Sequence, residues 1–521
     1  MRRNIRKLTS LLLGTILCLS LTGGSTPAAV TGSGDTGEQK QESEAREADP
    51  KTINLYFVRH GKTILNTLGR VQGWSDSPLT KEGAEVAKNS AYGLKDIPFD
   101  LAYSSDRMRA IETARIILDA NPAGSGLEIA MTDGLRECNY GKYEGDFNTT
   151  MWGDILKRLG LTEMSELSQM DDMTRHIYDS VAGLDETGEA ESYDQVASRL
   201  MKSVEEIIRD AKKQGAENVL VVGHGGAIGV ILDQMGRGGT GELGNASVSL
   251  VEYTDGAYQV VSVGDMSYCE KGEAVRRDLV QEPEKAPAAA VSGEEKGEVV
   301  IYLTRHGKTV FNTMGRTQGW VDSPLTEAGV KVAKNLGKGI SEVEFAAAYS
   351  SDMGRAVETA QIVLALNQNG SGVTLNQNPG LRETNYGKFE SGINTDMLNA
   401  ALGELGLSGM EELHGLDNGI ARVTDAIHKL DETGAAEDYQ TMSGRVREAM
   451  DEIVRETAVN GGGNVLVVAH GNAIMSFLNS IGDVNVLEIE NASVSKIRYS
   501  NGTYTIESVN DTGYAEAGAK K

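Results

Sequence analysis

Cysteine, histidine and tryptophan are scarce in this chain of 521 residues, with 3, 7 and 3 copies. So few cysteines exclude a disulfide-dense scaffold. No HExxH-like or Cys/His ligand spacing occurs, which disfavours a metal centre. Basic residues are also short, 50 Lys and Arg against 75 Asp and Glu, for a net charge of −25. Such a surface repels nucleic acid and anionic membranes, so a phosphate group would have to be caught by a local arginine cluster. The length is too great for one core and implies two or three domains.

The first thirty residues have the three-part layout of a secretory signal. Arg2, Arg3, Arg6 and Lys7 precede an apolar run from Leu11 to Leu21, followed by small residues. That run is too short to span a bilayer comfortably, so no stable membrane insertion is expected after export. Residues 1–29 are therefore read as a signal peptide, with cleavage after Ser25 or Ala28 left open, and the product as secreted or loosely surface-associated. Leu17 precedes Cys18 where lipoprotein processing sites resemble one another in carrying a small side chain, which disfavours lipidation. Residues 30–50, rich in Gly, Ser, Glu and Gln, read as a disordered tether.

What is abundant is self-similarity. Tyr56-Phe57-Val58-Arg59-His60-Gly61-Lys62 recurs as Tyr302-Leu303-Thr304-Arg305-His306-Gly307-Lys308. A constant offset of 246 relates His60 to His306, Arg109 to Arg355, Glu137 to Glu383, His224 to His470 and Asn245 to Asn491. Repeats this long are whole domains, not solenoid units. Residues 51–270 form the first and 298–515 the second; 271–297, with Pro283, Pro287 and an alanine run, reads as a linker. Cys138 and Cys269 correspond to Thr384 and Ala515, so no repeated disulfide framework exists; one bridge or two free thiols remain open, the second favoured.

Within each copy, strands alternate with helices. Thr52–Val58, Asp100–Tyr103 and Asn218–Val222 read as strands. Helices are expected from Thr80 to about Ala91, from Arg107 to about Ala120, and over Tyr193–Gln214. The last has Val196, Leu200, Val204, Ile207 and Ile208 at helical spacing, a Ser192/Gln195 capping box and Gly215 as a stop. Alternating elements with continuous apolar strands imply an α/β fold with a mostly parallel sheet flanked by helices in each domain.

His60 and His224 each follow directly on a strand, where α/β sheets bind ligands. A neutral imidazole is a nucleophile and an adjacent guanidinium grips phosphate. Around them stand Arg59-His60-Gly61-Lys62-Thr63 with Asn66, Gln72-Gly73-Trp74-Ser75-Asp76-Ser77-Pro78-Leu79-Thr80, Tyr103-Ser104-Ser105-Asp106 with Arg109, Leu135-Arg136-Glu137, and Gly223-His224-Gly225. In this order, and twice, the set resembles the histidine phosphatase superfamily, in the branch containing phosphoglycerate mutases and related phosphatases. The resemblance covers nearly all of both domains.

It implies a two-domain enzyme that needs no cofactor and in which His60 is transiently phosphorylated. Arg59 and Arg109 would keep His60 unprotonated and, with His224, hold the phosphoryl oxygens. Glu137 would protonate the leaving alkoxide and then activate water. The family's other branch typically carries an acidic residue after the second histidine. Here Gly225 and Gly471 stand there, which places that role on Glu137 and Glu383. Thr63 and Asn66 would line the phosphate site. The second copy supplies His306, Arg305, Arg355, His470, Glu383, Thr309 and Asn312, so both copies are expected to be active.

Each of these features also has a blander reading. Glycine-flanked histidines can be turn residues, and Arg136-Glu137 could be a surface ion pair of little worth. The repeat discriminates, since four histidines are shared, while His176, His414 and His428 align with Arg422, Ser168 and Ala182. Trp74 and Trp320 either stack on substrate or pack beside the site, the second favoured. The copies diverge most near 147–183 against 393–429, notably over 168–183 against 414–429, a stretch expected to cover the site and choose the leaving group, and Gly226 is exchanged for Asn472. The expected activity is hydrolysis of a small-molecule phosphate monoester. A mutase-type phosphotransferase and a catalytically silent binding protein are the alternatives.

Overall fold

The computed structural model describes residues 51–239, 241–278, 295–414, 416–482, 484 and 488–521. The expected signal peptide and tether, and most of the expected linker, lie outside them. Each copy folds around one six-stranded sheet. In the first the strands are β1 (Ile53–Arg59), β2 (Leu101–Ser105), β3 (Ile129–Thr132), β4 (Asn218–Gly223), β5 (Val248–Thr254) and β6 (Ala257–Asp265). Their spatial order is β3-β2-β4-β1-β5-β6, the first four parallel and β5 and β6 antiparallel. The second copy repeats the order with Val299–Arg305 and Gly463–Ala469 as its central parallel pair.

The central strands are apolar on both faces because both are covered. Leu55, Phe57, Val219 and Val221 pack with Val196, Leu200, Val204 and Ile207 of the Tyr193–Gln214 helix. On the other face, Tyr56, Val58, Leu220 and Val222 meet Ala91 and Leu94 of helix Lys81–Leu94 and Ala110, Ala114 and Ile117 of helix Met108–Asp119. Local signals set the ends. Thr80 caps Gly83 N–H, Ser192 and Gln195 form the capping box, and Gly215 is left-handed at φ 69°.

The first domain does not stop near residue 270. Its closing helix, Ser267–Asp278, runs into the expected linker because it docks on helix Lys81–Leu94. Arg276 bonds Asn89 Oδ1 at 2.6 Å and pairs with Glu85 at 2.7 Å. Helix Gly513–Ala519 closes the second domain in the same way, beyond residue 515. Cys138 and Cys269 are both free thiols.

The two domains meet face to face about a local two-fold axis. Asp76 N–H donates to Asp322 O at 2.7 Å and Asp322 N–H returns to Asp76 O at 2.6 Å. Leu65 and Phe311, also 246 apart, pack together with Val321. Across the same contact Arg382 lies 3.6 Å from Glu112, whose carboxyl burial pushes up to about 7. A carboxyl raised in this way keeps its proton in the fold after the unfolded chain has released it. Its contribution to stability is therefore full below about pH 4.5 and is lost as pH rises through about 7. Glu112→Gln should leave the melting temperature unchanged near pH 5 and raise it by a few degrees, on the order of 1 kcal/mol, at pH 8. Melting curves of both proteins across that range check it; an equal difference at every pH would contradict it.

Candidate active site

The two expected nucleophile-region histidines leave neighbouring strands at the same level. Arg59 and Gly223 are register partners in the parallel β1–β4 pair, so His60 and His224 follow side by side, ring centroids 5.3 Å apart. His60 N–H donates to Gly223 O at 3.0 Å, tying the two strand ends together.

Each ring's tautomer follows from its partner. His60 Nδ1 lies 2.7 Å from Gly61 O, a group that only accepts, so Nδ1 carries the hydrogen and Nε2 keeps its lone pair. His224 Nδ1 instead accepts from Arg109 Nε at 3.0 Å, which places the hydrogen on Nε2. That Nε2–H is buried with no protein acceptor. One imidazole thus presents a lone pair and the other a donor. Burial, then the neighbouring Arg109, holds both rings well below the usual histidine range; Arg59 adds to this at His60.

Arg109 is fully buried and largely spent on the protein. Besides His224, it donates to Ser75 O, Asp76 Oδ1 and Gly73 O at 2.8–2.9 Å, using four of its five N–H groups. Arg59 donates Nη1 to Leu243 O and leaves Nε buried without a partner beside Gly225. Glu137 follows the turn after β3. Its Oε1 accepts from Cys138 N–H at 3.0 Å and its Oε2 from Gly226 N–H at 2.8 Å, and burial raises its carboxyl above the usual range.

The expected phosphate-lining residues Thr63 and Asn66 pair with each other. Thr63 Oγ1 accepts from Asn66 N–H, Asn66 Oδ1 accepts from Thr63 N–H, and the Thr63 hydroxyl donates to Gln72 Oε1 at 2.7 Å. They form the capping box of helix Ile64–Thr67, and Thr309 and Asn312 form its twin, with Asn312 also facing the cleft. Trp74 Nε1 donates to Glu137 O at 3.1 Å, so the indole packs beside the site and holds the segment that carries the glutamate.

The second copy assembles the same set. His306 Nδ1 is 2.8 Å from Gly307 O, Arg355 Nε donates to His470 Nδ1 at 3.1 Å, and His470 Nε2 and Arg305 Nε are buried without partners. Glu383 accepts from Thr384 and Asn472 N–H at 2.9 and 3.0 Å.

Three supporting groups escaped notice in the sequence. Asp76 and Asp322 anchor the buried arginines at 2.8 and 2.7 Å. Glu144 gathers the N–H groups of Gly73, Trp74, Ser75 and Tyr140, as Glu390 does in the second copy. Arg199, clamped by Glu191, holds the carbonyls of Gly134, Arg136 and Glu137. Each is identical at the offset of 246, and that invariance was the available signal.

Comparison with known proteins agrees with this geometry. A metal-independent phosphoserine phosphatase of Arabidopsis thaliana is 30% identical over 229 residues, 43% of this chain and 87% of that protein. A broad-specificity phosphatase of Saccharomyces cerevisiae is 28% identical, over 44% of this chain and 94% of its own length. Among solved structures, a phosphoglycerate mutase from Bacillus anthracis is 45% identical, covering 43% of this chain and 98% of that one, with a TM-score of 0.42. The model of the histidine phosphatase superfamily (branch 1) matches residues 55–266 and again 301–512. The two matches together span most of the chain, and the protein belongs to the histidine phosphatase superfamily, branch 1, with two of its domains in a single chain.

Proposed function

We propose that the protein is an exported phosphatase that hydrolyses phosphate monoesters at both domains through a phosphohistidine. One observation carries this reading: in each copy a buried imidazole with a free Nε2 lone pair faces a second imidazole with an unpartnered Nε2–H. The Arabidopsis and yeast relatives carry phosphatase names, which supports hydrolysis, while relatives from Yersinia are named probable phosphoglycerate mutases, which keeps transfer as the second reading. Export rests on the composition of residues 1–29, and N-terminal sequencing of protein recovered from the medium tests it.

In the first step His60 Nε2 attacks phosphorus in line, a P–N bond forms, and the ester P–O bond breaks. The Arg59 Nε–H and His224 Nε2–H groups meet the charge gathering on the phosphoryl oxygens, already desolvated and already aimed. The Glu137 carboxyl gives its proton to the departing alkoxide. In the second step water attacks phosphorus, Glu137 takes its proton, and the P–N bond breaks to release inorganic phosphate and restore His60. Arg109 acts on His224, fixing its tautomer.

The pH profile follows from the two displaced groups. His60 stays neutral well below pH 6.5, so its protonation does not set an acid limb near that value. Glu137 holds its proton above the usual carboxylate range, and its loss at higher pH removes the acid. In a His306→Ala background, which isolates the first domain, activity should therefore be level through weakly acidic pH and fall on the alkaline side. In a His306→Ala background, Glu137→Gln should slow release from alkyl phosphates by about 10²–10⁴-fold and from an aryl phosphate far less, since a phenolate leaves without help. Equal losses on both esters would remove the acid role. Release of free phosphate, and no isomerised ester, separates hydrolysis from the mutase reading.

A further inference from the structure

The catalytic groups of the two domains superpose in kind, but the ground in front of them does not. In the second domain the cleft opens into a cavity of about 1220 Å³, above the range of ordinary small-ligand sites. Its floor carries Arg305, His306 and Glu383, and its walls include Met397, Leu398, Ile420, Met475 and Ile489. Arg316 reaches it but donates to Ser391 O at 2.9 Å and lies 3.8 Å from Asp146. Asp417 and Glu488 add negative charge. Asn394, Asn418 and Asn479 also line it, so a wide chamber of mixed lining with carboxylates on its wall suits a bulky, uncharged leaving group and repels an anionic one.

The first domain carries bulkier side chains at three of the matching positions. Tyr178 stands where the second domain has Thr424, Trp152 for Leu398, and Arg175 for Ala421. Tyr178 is 3% exposed, packed between Tyr140 and Tyr193 at ring separations of 6.2 and 6.5 Å. Arg175 lies over the Tyr193 ring at 4.3 Å. The consequence shows at the next residue out: Tyr193 is buried, whereas its counterpart Tyr439 is half-buried and lines the cavity.

The exchange is coupled. A Cβ added at Gly226 would sit 2.3 Å from the Tyr178 hydroxyl, so that tyrosine requires glycine there. The second domain carries Asn472 at this position and has no tyrosine above it. Asn472 Nδ2 instead donates to Tyr386 Oη at 2.7 Å. Tyr178 with Gly226, and Thr424 with Asn472, are two internally consistent solutions to one packing problem.

We propose, building on the hydrolase reading above, that the second domain acts on phosphate monoesters of bulky uncharged alcohols and the first on small ones, with Tyr178/Gly226 against Thr424/Asn472 as the selecting pair. Methionine-lined walls, being adaptable, make the second site tolerant of shape.

The test isolates each domain, His306→Ala leaving the first and His60→Ala the second. Phosphate release is measured from 1-naphthyl phosphate and from glycerol 3-phosphate. The naphthyl-to-glycerol ratio of kcat/KM should be at least about tenfold higher for the second domain. Thr424→Tyr with Asn472→Gly should erase that advantage while sparing the glycerol ester, and Tyr178→Thr with Gly226→Asn should raise the ratio of the first domain. Ratios equal within about threefold, or exchanges that slow both esters alike, overturn the proposal. Calorimetric titration with naphthylmethyl phosphonate and methyl phosphonate reads the cavity without turnover. Loss of the larger ligand alone in the Thr424→Tyr/Asn472→Gly protein supports the proposal even if phosphate release fails and the hydrolase reading falls. Equal affinities in parent and variant sink it.

Discussion

His60→Ala combined with His306→Ala should abolish phosphate release, while each single substitution removes one domain's share and leaves the other's intact. The covalent route needs a side-chain nucleophile that forms and then releases the phosphoryl bond, and among the described residues no other side chain in either site offers a lone pair at the same place. His224 is committed by its tautomer, since Nδ1 already accepts from Arg109 and Nε2 bears the hydrogen. Loss of a nucleophile from such a constellation costs about 10⁶-fold in comparable enzymes, which takes the double variant to background. The measurement is phosphate release by the parent, both single variants and the double variant on one aryl and one alkyl ester, in the presence of EDTA. Residual activity in the double variant above about a thousandth of the parent rate would mean that a different group attacks phosphorus.

The second large effect belongs to a residue that touches no phosphate. Asp76→Ala is expected to destabilise the first domain by about 3–5 kcal/mol and to cut its activity by about 10²–10³-fold. The Asp76 carboxylate is buried, takes Arg109 Nη1 at 2.8 Å, and also accepts from the N–H groups of Ser77 and Met108. Without it the Arg109 charge stays buried and unpaired, the situation in which breaking an ion pair costs most. Arg109 also fixes His224, so the loss carries on to the donor facing the phosphoryl group. Asp76→Asn keeps an acceptor for Arg109 and should recover part of the stability. Chemical denaturation and kcat in a His306→Ala background check both effects; an alanine variant as stable and as fast as the parent would show that Arg109 finds other partners.

The parts of the fold legible in the sequence were those set by local chemistry. Val196, Leu200, Val204 and Ile207 placed the long helix with its true ends, because a stripe, a capping box and a stop glycine agreed. The β5–β6 hairpin went unread although its signal was present. Asp255-Gly256, and Asn501-Gly502 in the second copy, are turn dipeptides at positive φ between alternating runs. The position of the closing helix was not legible, since what extends it past residue 270 is tertiary. Gly272 lies so close to the Asn89 carbonyl that a Cβ there would be 1.7 Å from the oxygen.

At the site, the histidines, Arg59 and Glu137 were readable because strand ends and glycines announce them. Thr63 and Asn66, expected at the phosphate, also cap a short helix and reach Gln72, a use that only the local helix geometry reveals. Arg109 was read as a second phosphate clamp. Three of its four protein-directed N–H groups go to carbonyls of residues 73 and 75 and to Asp76, more than thirty positions away. The lid divergence was visible as an alignment difference. What it encloses was not, because filling or opening a cavity depends on which residue lies over Gly226 in space.

The two-fold contact between the domains has a last consequence, for the composition of the molecule. A self-matching face allows a half to pair with a copy of itself as readily as with the other half, unless something breaks the symmetry. Gly145 and Ser391 occupy corresponding positions on that face, and the Ser391 hydroxyl donates to Gly145 O at 2.5 Å. A Cβ on Gly145 would lie 2.1 Å from that hydroxyl and 2.5 Å from the Phe311 ring. Two second halves would bring serine against serine in a space that holds only one. The contact therefore discriminates against that like pairing and favours the mixed one. One chain thus delivers two dissimilar pockets in a fixed one-to-one ratio that no imbalance of synthesis can alter.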